Sequence, residues 1–213
     1  MTEVAVIDYG VGNLLSVSRA LAHCGVQAII TADPAAILAA KRVVLPGVGA
    51  FANGMAALRA SGLDRVVRQV AAAGMPLLGI CLGMQLLLES SDEFGATDGL
   101  GLIPGQVLQI PSDASDGERN KIPHIGWNAL TLPSGRSSWG DGLLDGLAAG
   151  EAMYFVHSFM AQPTDSAHRL ADCLYGGIVV SAAVQYGAVL GCQFHPEKSG
   201  EAGLRVLSNF IRR

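Results

Sequence analysis

The chain has 213 residues, half of them hydrophobic, and its 14 basic and 18 acidic side chains give a net charge of −4. This size favours one domain, residues 1–213, and the slight acidity without a basic cluster argues against nucleic acid or membrane as partner. Apolar runs stay below the roughly 18 to 20 residues that span a bilayer, and the first residues lack a signal-peptide pattern, so we expect a cytoplasmic protein.

Four cysteines, Cys24, Cys81, Cys173 and Cys192, are widely spaced and form no Cys-x-x-Cys pair. This spacing predicts neither a disulfide framework nor a structural metal site.

The first half of the chain alternates short apolar runs with helical patterns, and the second half strings β-rich runs together through glycine, proline and aspartate turns. Strands are predicted at 4–7, 26–30, 42–45, 76–79, 107–110, 128–132, 153–159, 171–175, 178–185 and 189–194, and helices at 14–24, 34–40, 82–89 and 201–212. Leu63, Val66, Val67 and Val70 add a helical core stripe. The pattern predicts an α/β fold with a central, mostly parallel sheet flanked by helices and an antiparallel extension in the C-terminal half. A polar loop is predicted over 112–120.

The turn after the first strand contains Gly10 and Gly12, as a dinucleotide-binding loop does, but Leu15 occupies the place of the third glycine. A tight strand-to-helix turn explains these glycines as well.

Cys81 lies between a predicted strand and a predicted helix, with Gly79 and Gly83 two residues to either side. This is the spacing of a nucleophile elbow, where the helix start favours the thiolate and the Leu82 N–H is free to donate to an oxyanion. The alternative is a small buried hydrophobic residue, as most free cysteines are.

The segment 194–198 supplies a candidate base. Pro196 biases His195 toward an extended conformation, in which Glu197 points the same way and can orient the imidazole. A plain loop histidine is the alternative for this motif alone. Together with Cys81, these residues form a candidate Cys-His-Glu triad.

Another loop, Pro46-Gly47-Val48-Gly49, follows a predicted strand of the same sheet. Its glycines allow peptide rotation and close approach of backbone amides to a ligand, although a flexible turn is the simpler interpretation.

These motifs in this order resemble the class I, or triad, glutamine amidotransferases. Within that family the chain is similar to the glutaminase subunits of imidazole glycerol phosphate synthases. The resemblance rests on the segments 8–13, 45–51, 79–83, 123–128, 154–158 and 194–199. Most of the family has Pro-Gly-Gly where this chain has Pro-Gly-Val-Gly, as that subunit does. Phe159 and Met160 depart from the family, which more often has a hydroxylated aromatic residue there.

The resemblance implies hydrolysis of glutamine to glutamate and ammonia without a cofactor or metal, with Cys81, His195 and Glu197 as the triad. It implies an oxyanion hole from Leu82 and Gly47-Val48-Gly49, and substrate contacts from Gln85, Glu93, Ser158 and Phe159. It also implies a (β/α)₈ cyclase as heterodimer partner, with Lys198 and Asn13 at the interface and ammonia path. The cyclase would use the ammonia to make imidazole glycerol phosphate and aminoimidazole carboxamide ribotide in histidine biosynthesis. A second hypothesis is a non-catalytic partner subunit that keeps only the fold.

Overall fold

The architecture comes from a computed structural model that describes residues 3–113 and 119–213. Within these residues the helices are α1 (Leu14–His23), α2 (Pro34–Leu38), α3 (Phe51–Ala60), α4 (Leu63–Ala72), α5 (Leu82–Leu86) and α6 (Gly200–Arg212). The strands are β1 (Val4–Ile7), β2 (Ala28–Thr31), β3 (Arg42–Gly47), β4 (Leu77–Cys81), β5 (Leu88–Ser91), β6 (Thr97–Asp98), β7 (Ile103–Gln109), β8 (His124–Ala129), β9 (Ala152–His157), β10 (Phe159–Pro163), β11 (Arg169–Tyr175), β12 (Ile178–Tyr186) and β13 (Val189–Cys192). Short 3₁₀ turns cover Ser166–His168 and Pro196–Lys198.

A seven-stranded sheet in the order β11-β12-β13-β4-β3-β1-β2 forms the centre of the protein. The five strands from β13 to β2 are parallel, and β12 and β11 continue the sheet in antiparallel pairing. The predicted α/β fold, with a mostly parallel sheet and an antiparallel extension, is confirmed.

Both faces of this sheet are buried. Along β1, Val4 and Val6 join one apolar cluster, whereas Ala5 and Ile7 join the other, because successive strand residues point to opposite faces. Residues of α1 and α6 cover the first face, and residues of α2, α3 and α4 cover the second. The carboxyl ends of the parallel strands, which include Gly47 and Cys81, lie at one edge of the sheet, where ligands bind in such sheets.

Two smaller units complete the fold. One is a four-stranded sheet in the order β10-β7-β5-β6, and the other is the two-stranded ribbon β8–β9. In the ribbon His124 pairs with His157 and Trp127 with Tyr154.

The predicted helix over 82–89 is wrong beyond its first turn. The helix ends at Leu86, and Leu88–Ser91 forms strand β5, in which Leu88 pairs with Ile103 of β7. The run has no local signal for this change, because a distant strand offers the pairing. The sequence interpretation also missed α3, whose Gly54 lets it approach α5 closely. The loop predicted over 112–120 lies mostly outside the described residues.

Candidate active site

Cys81 occupies the sharp turn between β4 and α5, with a φ of 54° and a ψ of −112°. A positive φ strains a residue with a Cβ and persists only where surrounding structure enforces it. A Cβ on Gly79 would lie 2.6 Å from the Gly83 carbonyl oxygen, and one on Gly83 only 1.8 Å from that of Leu45. The two glycines therefore permit a turn that no other residue would allow.

The His195 segment reaches Cys81 because β13 enters the central sheet beside β4, with Cys192 opposite Ile80. The His195 N–H donates to the Tyr154 carbonyl at 2.9 Å, which ties the segment to the ribbon. His195 itself is extended, as predicted, but Glu197 lies in the 3₁₀ turn Pro196–Lys198. The predicted shared orientation is thus reached through a turn rather than through a continuous extended segment.

The imidazole and the carboxylate form a buried pair, with His195 Nδ1 2.8 Å from Glu197 Oε1. Burial lowers the pKa of His195, but Cys81 and Glu197 outweigh it and raise that pKa to about 9. The other ring nitrogen, Nε2, is buried and lacks a hydrogen-bond partner among the described residues. Catalytic hydrogen bonds are often long before substrate binds, so this atom is available for proton transfer.

The remaining cysteines do not share this environment. Burial, helped by Asp172, raises the pKa of the Cys173 thiol to about 12, and burial raises that of Cys192 well above its usual value. All four cysteines lie in described segments and are free thiols. Cys81 alone among them lines the cavity described next.

A cavity of about 330 Å³ opens at the carboxyl edge of the sheet, a size typical of small-molecule sites. Its lining brings together many of the residues singled out from the sequence: Val48, Gly49, Cys81, Leu82, Gln85, Glu93, Ser158, Phe159 and His195, together with Pro123, Val156 and His157.

The loop Gly47-Val48-Gly49 lies beside Cys81 because β3 and β4 are neighbours, with Gly47 opposite Cys81. Burial, with a smaller effect of Cys81, raises the pKa of Tyr9, whose phenol donates to the Pro46 carbonyl at 2.8 Å and anchors the loop. A Cβ on Gly47 would come within 2.5 Å of that phenol oxygen. Gly49 has a φ of +93° and open space around it, so the backbone freedom of the loop resides there.

Gln85 is buried, and the bonds of its amide nitrogen fix its orientation. Its Nε2 donates to the Phe159 carbonyl and to Gln193 Oε1, both at 2.9 Å. Because a carbonyl only accepts, the nitrogen must face Phe159, which leaves Gln85 Oε1 for another donor. The Phe159 carbonyl also lies 2.8 Å from His157 Nδ1, so it holds side chains rather than remaining free for a ligand.

Glu93 has a structural contact as well as a place in the cavity lining. Its Oε2 accepts from the Phe51 N–H at 2.6 Å, at the start of α3 and directly after the glycine loop. A carboxylate is favourable at a helix N-terminus. Glu93 thus connects the start of α3 with the lining of the cavity.

The two predicted interface residues lie outside the cavity. Asn13 is the exposed N-cap of α1, and Lys198 is exposed with its Nζ 5.9 Å from the Tyr154 ring. Tyr154 in turn meets the edge of Trp127 at 6.1 Å, and Trp127 is 59% exposed. This outer surface of Lys198, Tyr154 and Trp127 adjoins the triad segment.

The sequence interpretation missed three buried polar residues, Gln193, His124 and His157. His157 Nδ1 must carry a proton to donate to the Phe159 carbonyl, so its Nε2 accepts from His124 Nδ1 at 3.0 Å. The polar side chain of Gln193 amid the apolar run 189–194 was the available signal for a functional position.

Among the described residues, no group of three or more His, Cys, Asp or Glu side chains is arranged to hold a metal ion. In the same part of the chain no helix has the length and apolar character needed to cross a membrane.

The fold and this geometry define an α/β protein with a cysteine, a histidine and a carboxylate gathered at the carboxyl edge of its sheet. Such an arrangement suits nucleophilic acyl transfer. The family model for class-I glutamine amidotransferases matches residues 5–213. The chain belongs to the class I glutamine amidotransferase family, which confirms the resemblance read from its motifs.

Relatives and solved structures agree with this membership. The chain is 48% identical over 212 residues to imidazole glycerol phosphate synthase subunit HisH 1 of Legionella pneumophila (strain Lens), covering 100% of both chains. It is 46% identical to subunit HisH of Geobacillus sp. (strain WCH70), over 97% of this chain and 95% of that one. A crystal structure of a glutamine amidotransferase aligns with a TM-score of 0.72 at 20% identity, and PurLQS from Thermotoga maritima with 0.71 at 21%. These two alignments cover 99% of this chain and 99% and 98% of the others, and they show the shared fold.

Proposed function

We propose that this chain is the glutaminase subunit of an imidazole glycerol phosphate synthase. It hydrolyses glutamine to glutamate and ammonia and passes the ammonia to a cyclase subunit. The observation that carries the proposal is the buried His195–Glu197 pair beside a strained, pocket-lining Cys81. Its specific assignment is supported by the full-length similarity to the HisH relatives.

The first chemical step forms a thioester. The Cys81 thiolate attacks the side-chain amide carbon of glutamine, and the carbonyl oxygen becomes an oxyanion. The Leu82 N–H and an amide of the Gly47-Val48-Gly49 loop donate to it, and loss of one such donor typically costs about 10² to 10³ in rate. His195, protonated and held by Glu197, gives its Nε2 proton to the nitrogen as the C–N bond breaks and ammonia leaves.

The second step restores the enzyme. His195, now neutral, takes a proton from water as the water attacks the thioester carbon. The resulting tetrahedral species collapses to glutamate and releases the Cys81 sulfur. The raised pKa of His195 suits this alternation, because Glu197 stabilises the imidazolium that forms in each cycle.

The far end of the substrate is held by the polar residues of the cavity. Gln85 Oε1 and the Glu93 carboxylate accept from the α-ammonium group of glutamine, and the backbone at Ser158 lies beside its carboxylate. Phe159 contributes indirectly, since its carbonyl fixes Gln85. This assignment gives Phe159 a supporting role in place of the direct contact implied by the resemblance.

The partner is a (β/α)₈ cyclase that covers the carboxyl edge of the sheet, where Asn13, Lys198 and Trp127 are exposed. The ligand of the cyclase favours the conformation of the Gly47-Val48-Gly49 loop in which a backbone N–H, rather than a carbonyl, faces the oxyanion. We place the complex in the cytoplasm and treat residues 1–213 as one domain.

The test is a glutaminase assay of the purified chain, alone and with a cyclase subunit and its ligand. We expect little glutamate from the isolated chain and strong activation in the complex. A complex that forms but releases no glutamate would instead favour a non-catalytic subunit, although the intact triad argues against that alternative.

A further inference from the structure

Gln193 is a buried polar residue that the mechanism above does not use. It follows β13 two residues before His195, and its side chain is fully buried. Its Nε2 lies 3.7 Å from Cys81 Sγ, within the range of a hydrogen bond to sulfur. A buried amide with a donor directed at the nucleophile calls for a physical explanation, since buried polar groups are costly unless they are paired.

A chain of hydrogen bonds determines which end of this amide faces the sulfur. The Phe159 carbonyl can only accept, so Gln85 must present its nitrogen there, and the same nitrogen donates to Gln193 at 2.9 Å. The Gln193 atom that accepts must be Oε1, which leaves Nε2 directed at Cys81. The amide cannot flip without breaking the bond to Gln85.

The second polar contact of the sulfur has the opposite preference. Cys81 Sγ lies 3.8 Å from the Val156 carbonyl, which can accept from the thiol but repels the thiolate. Of these two contacts, therefore, only the Gln193 N–H stabilises the charged form. Hydrogen bonds to ionised groups are roughly twice as strong as neutral ones, and they act more strongly in a buried site.

We propose that Gln193 is a positioning residue for the reaction: it stabilises the Cys81 thiolate and fixes the direction of the sulfur, and Gln85 holds it in the required orientation. Gln85 thereby links the substrate end of the cavity to the nucleophile. This inference deepens the proposed glutaminase function and rests on it for the role of the cavity.

The test compares two variants. Gln193→Met keeps the length of the side chain but has no hydrogen-bond donor. Gln193→Glu keeps the acceptor for Gln85 but turns a carboxylate toward the sulfur. The first readout is the rate of Cys81 alkylation by iodoacetamide from pH 5 to 10, followed by mass spectrometry of the Cys81 peptide. We expect both variants to react about tenfold more slowly at pH 7, and their half-maximal rate to move about one pH unit upward, more for Gln193→Glu.

The second readout is glutamine turnover in the complex with the cyclase subunit, where kcat should fall by about tenfold in Gln193→Met and KM should change less. Gln185→Met is the matched control, because Gln185 donates to the Gly187 carbonyl in the turn after β12 and lies outside the cavity lining. It should leave both readouts unchanged.

Alkylation profiles of both Gln193 variants that coincide with the wild type would overturn the inference. A nonspecific packing defect would slow turnover without moving the pH of half-maximal alkylation, and that result also counts against it. If the wild-type complex releases no glutamate, the proposed function fails, whereas the alkylation comparison still decides the role of Gln193.

Discussion

At the scale of single residues, the strained backbone of Cys81 is the clearest sign of function. A non-glycine residue at a φ of 54° costs on the order of 1 to 3 kcal/mol, and Gly79 and Gly83 leave the space for the tight turn that imposes it. Stability alone would favour glycine at this position. We therefore expect the thiol at this position to serve the chemistry of the site.

We expect Cys81→Ala and Cys81→Ser to lower glutamine hydrolysis by at least about 10³-fold, because alanine has no nucleophile and the serine hydroxyl is a much weaker nucleophile than a thiolate. Synthesis from added ammonia should persist in the complex. Glutamate release measures the first part of this prediction, and formation of imidazole glycerol phosphate from added ammonia measures the second.

Cys24→Ser is the matched control, since Cys24 lies outside the lining of the active-site cavity and its thiol donates to the Leu204 carbonyl. Its activity should equal that of the wild type. Glutamine turnover that survives in Cys81→Ala would exclude Cys81 as the nucleophile.

The protonation of His195 also leads to a prediction about the free energy of unfolding in alkaline solution. Its pKa is raised from 6.5 to about 9, so its contribution is fully present below pH 6.5 and is lost as the pH rises through 9. A shift of this size corresponds to at most about 3 kcal/mol. The difference in unfolding free energy between wild type and His195→Gln should shrink between pH 6 and 10. A constant difference across that range would contradict the ion pair.

At the scale of elements, the β8–β9 ribbon contains a buried pair of neutral histidines. Burial lowers the pKa of His124 to about 4 and, as the main cause, that of His157 to about 3. The ribbon depends on this neutrality, because a proton on His157 Nε2 would face the proton that His124 donates. Stability from a lowered histidine pKa is present above pH 6.5 and is lost as the pH falls toward 4.

We therefore expect His124→Gln to flatten the acid side of the stability profile by about 3 kcal/mol between pH 6.5 and 4. Urea unfolding at several pH values measures this pH dependence of the free energy of unfolding. The control His23→Gln alters an exposed histidine at the end of α1 and should keep the wild-type slope. Identical slopes in the wild type and His124→Gln would rule out the buried histidine pair as the source of the stability loss in acid.

The glycine loop is the second element with a testable property. Gly49→Ala adds a methyl group into open space but strains a backbone at a φ of +93°, whereas Gly47→Ala would also collide with Tyr9. Gly49→Ala should therefore reduce the ligand-induced rise in kcat by about tenfold, with little change in KM.

Gly74→Ala is its control, because Gly74 has a φ of +68°, equally open space and a position outside the cavity lining. It should lose similar stability, about 1 kcal/mol, without changing activation. Equal activation of Gly49→Ala and the wild type by the cyclase ligand would show that the loop takes no part in activation.

At the scale of the whole molecule, the exposed aromatic residues differ in their surroundings. Trp127 is 59% exposed beside Tyr154 and the triad segment, whereas Tyr186 is 52% exposed and packs on His168 at the opposite end of the strands. Exposed aromatic residues are frequent centres of binding energy in interfaces.

Trp127→Ala should weaken binding of the cyclase subunit by at least about tenfold, and Tyr186→Ala should leave it unchanged. Titration calorimetry of the two subunits measures both. A wild-type Kd for Trp127→Ala would place the interface elsewhere on the surface.

Short-range patterns of residues were enough to identify the local parts of this protein. The spacing of Gly79, Cys81 and Gly83, the alternation of strands and helices, and the short motifs established the α/β class and the candidate nucleophile and base. These features are readable because steric limits and hydrophobic periodicity act over a few residues.

How these parts meet depends on the tertiary structure. It inserts β13 beside β4, which brings His195 to a cysteine more than a hundred positions away, and it turns Leu88–Ser91 into a strand. It also links the buried amides of Gln85 and Gln193 to the Cys81 sulfur through hydrogen bonds. Strand order and the pairing of buried polar groups depend on burial across the whole chain, and no local pattern of residues encodes them.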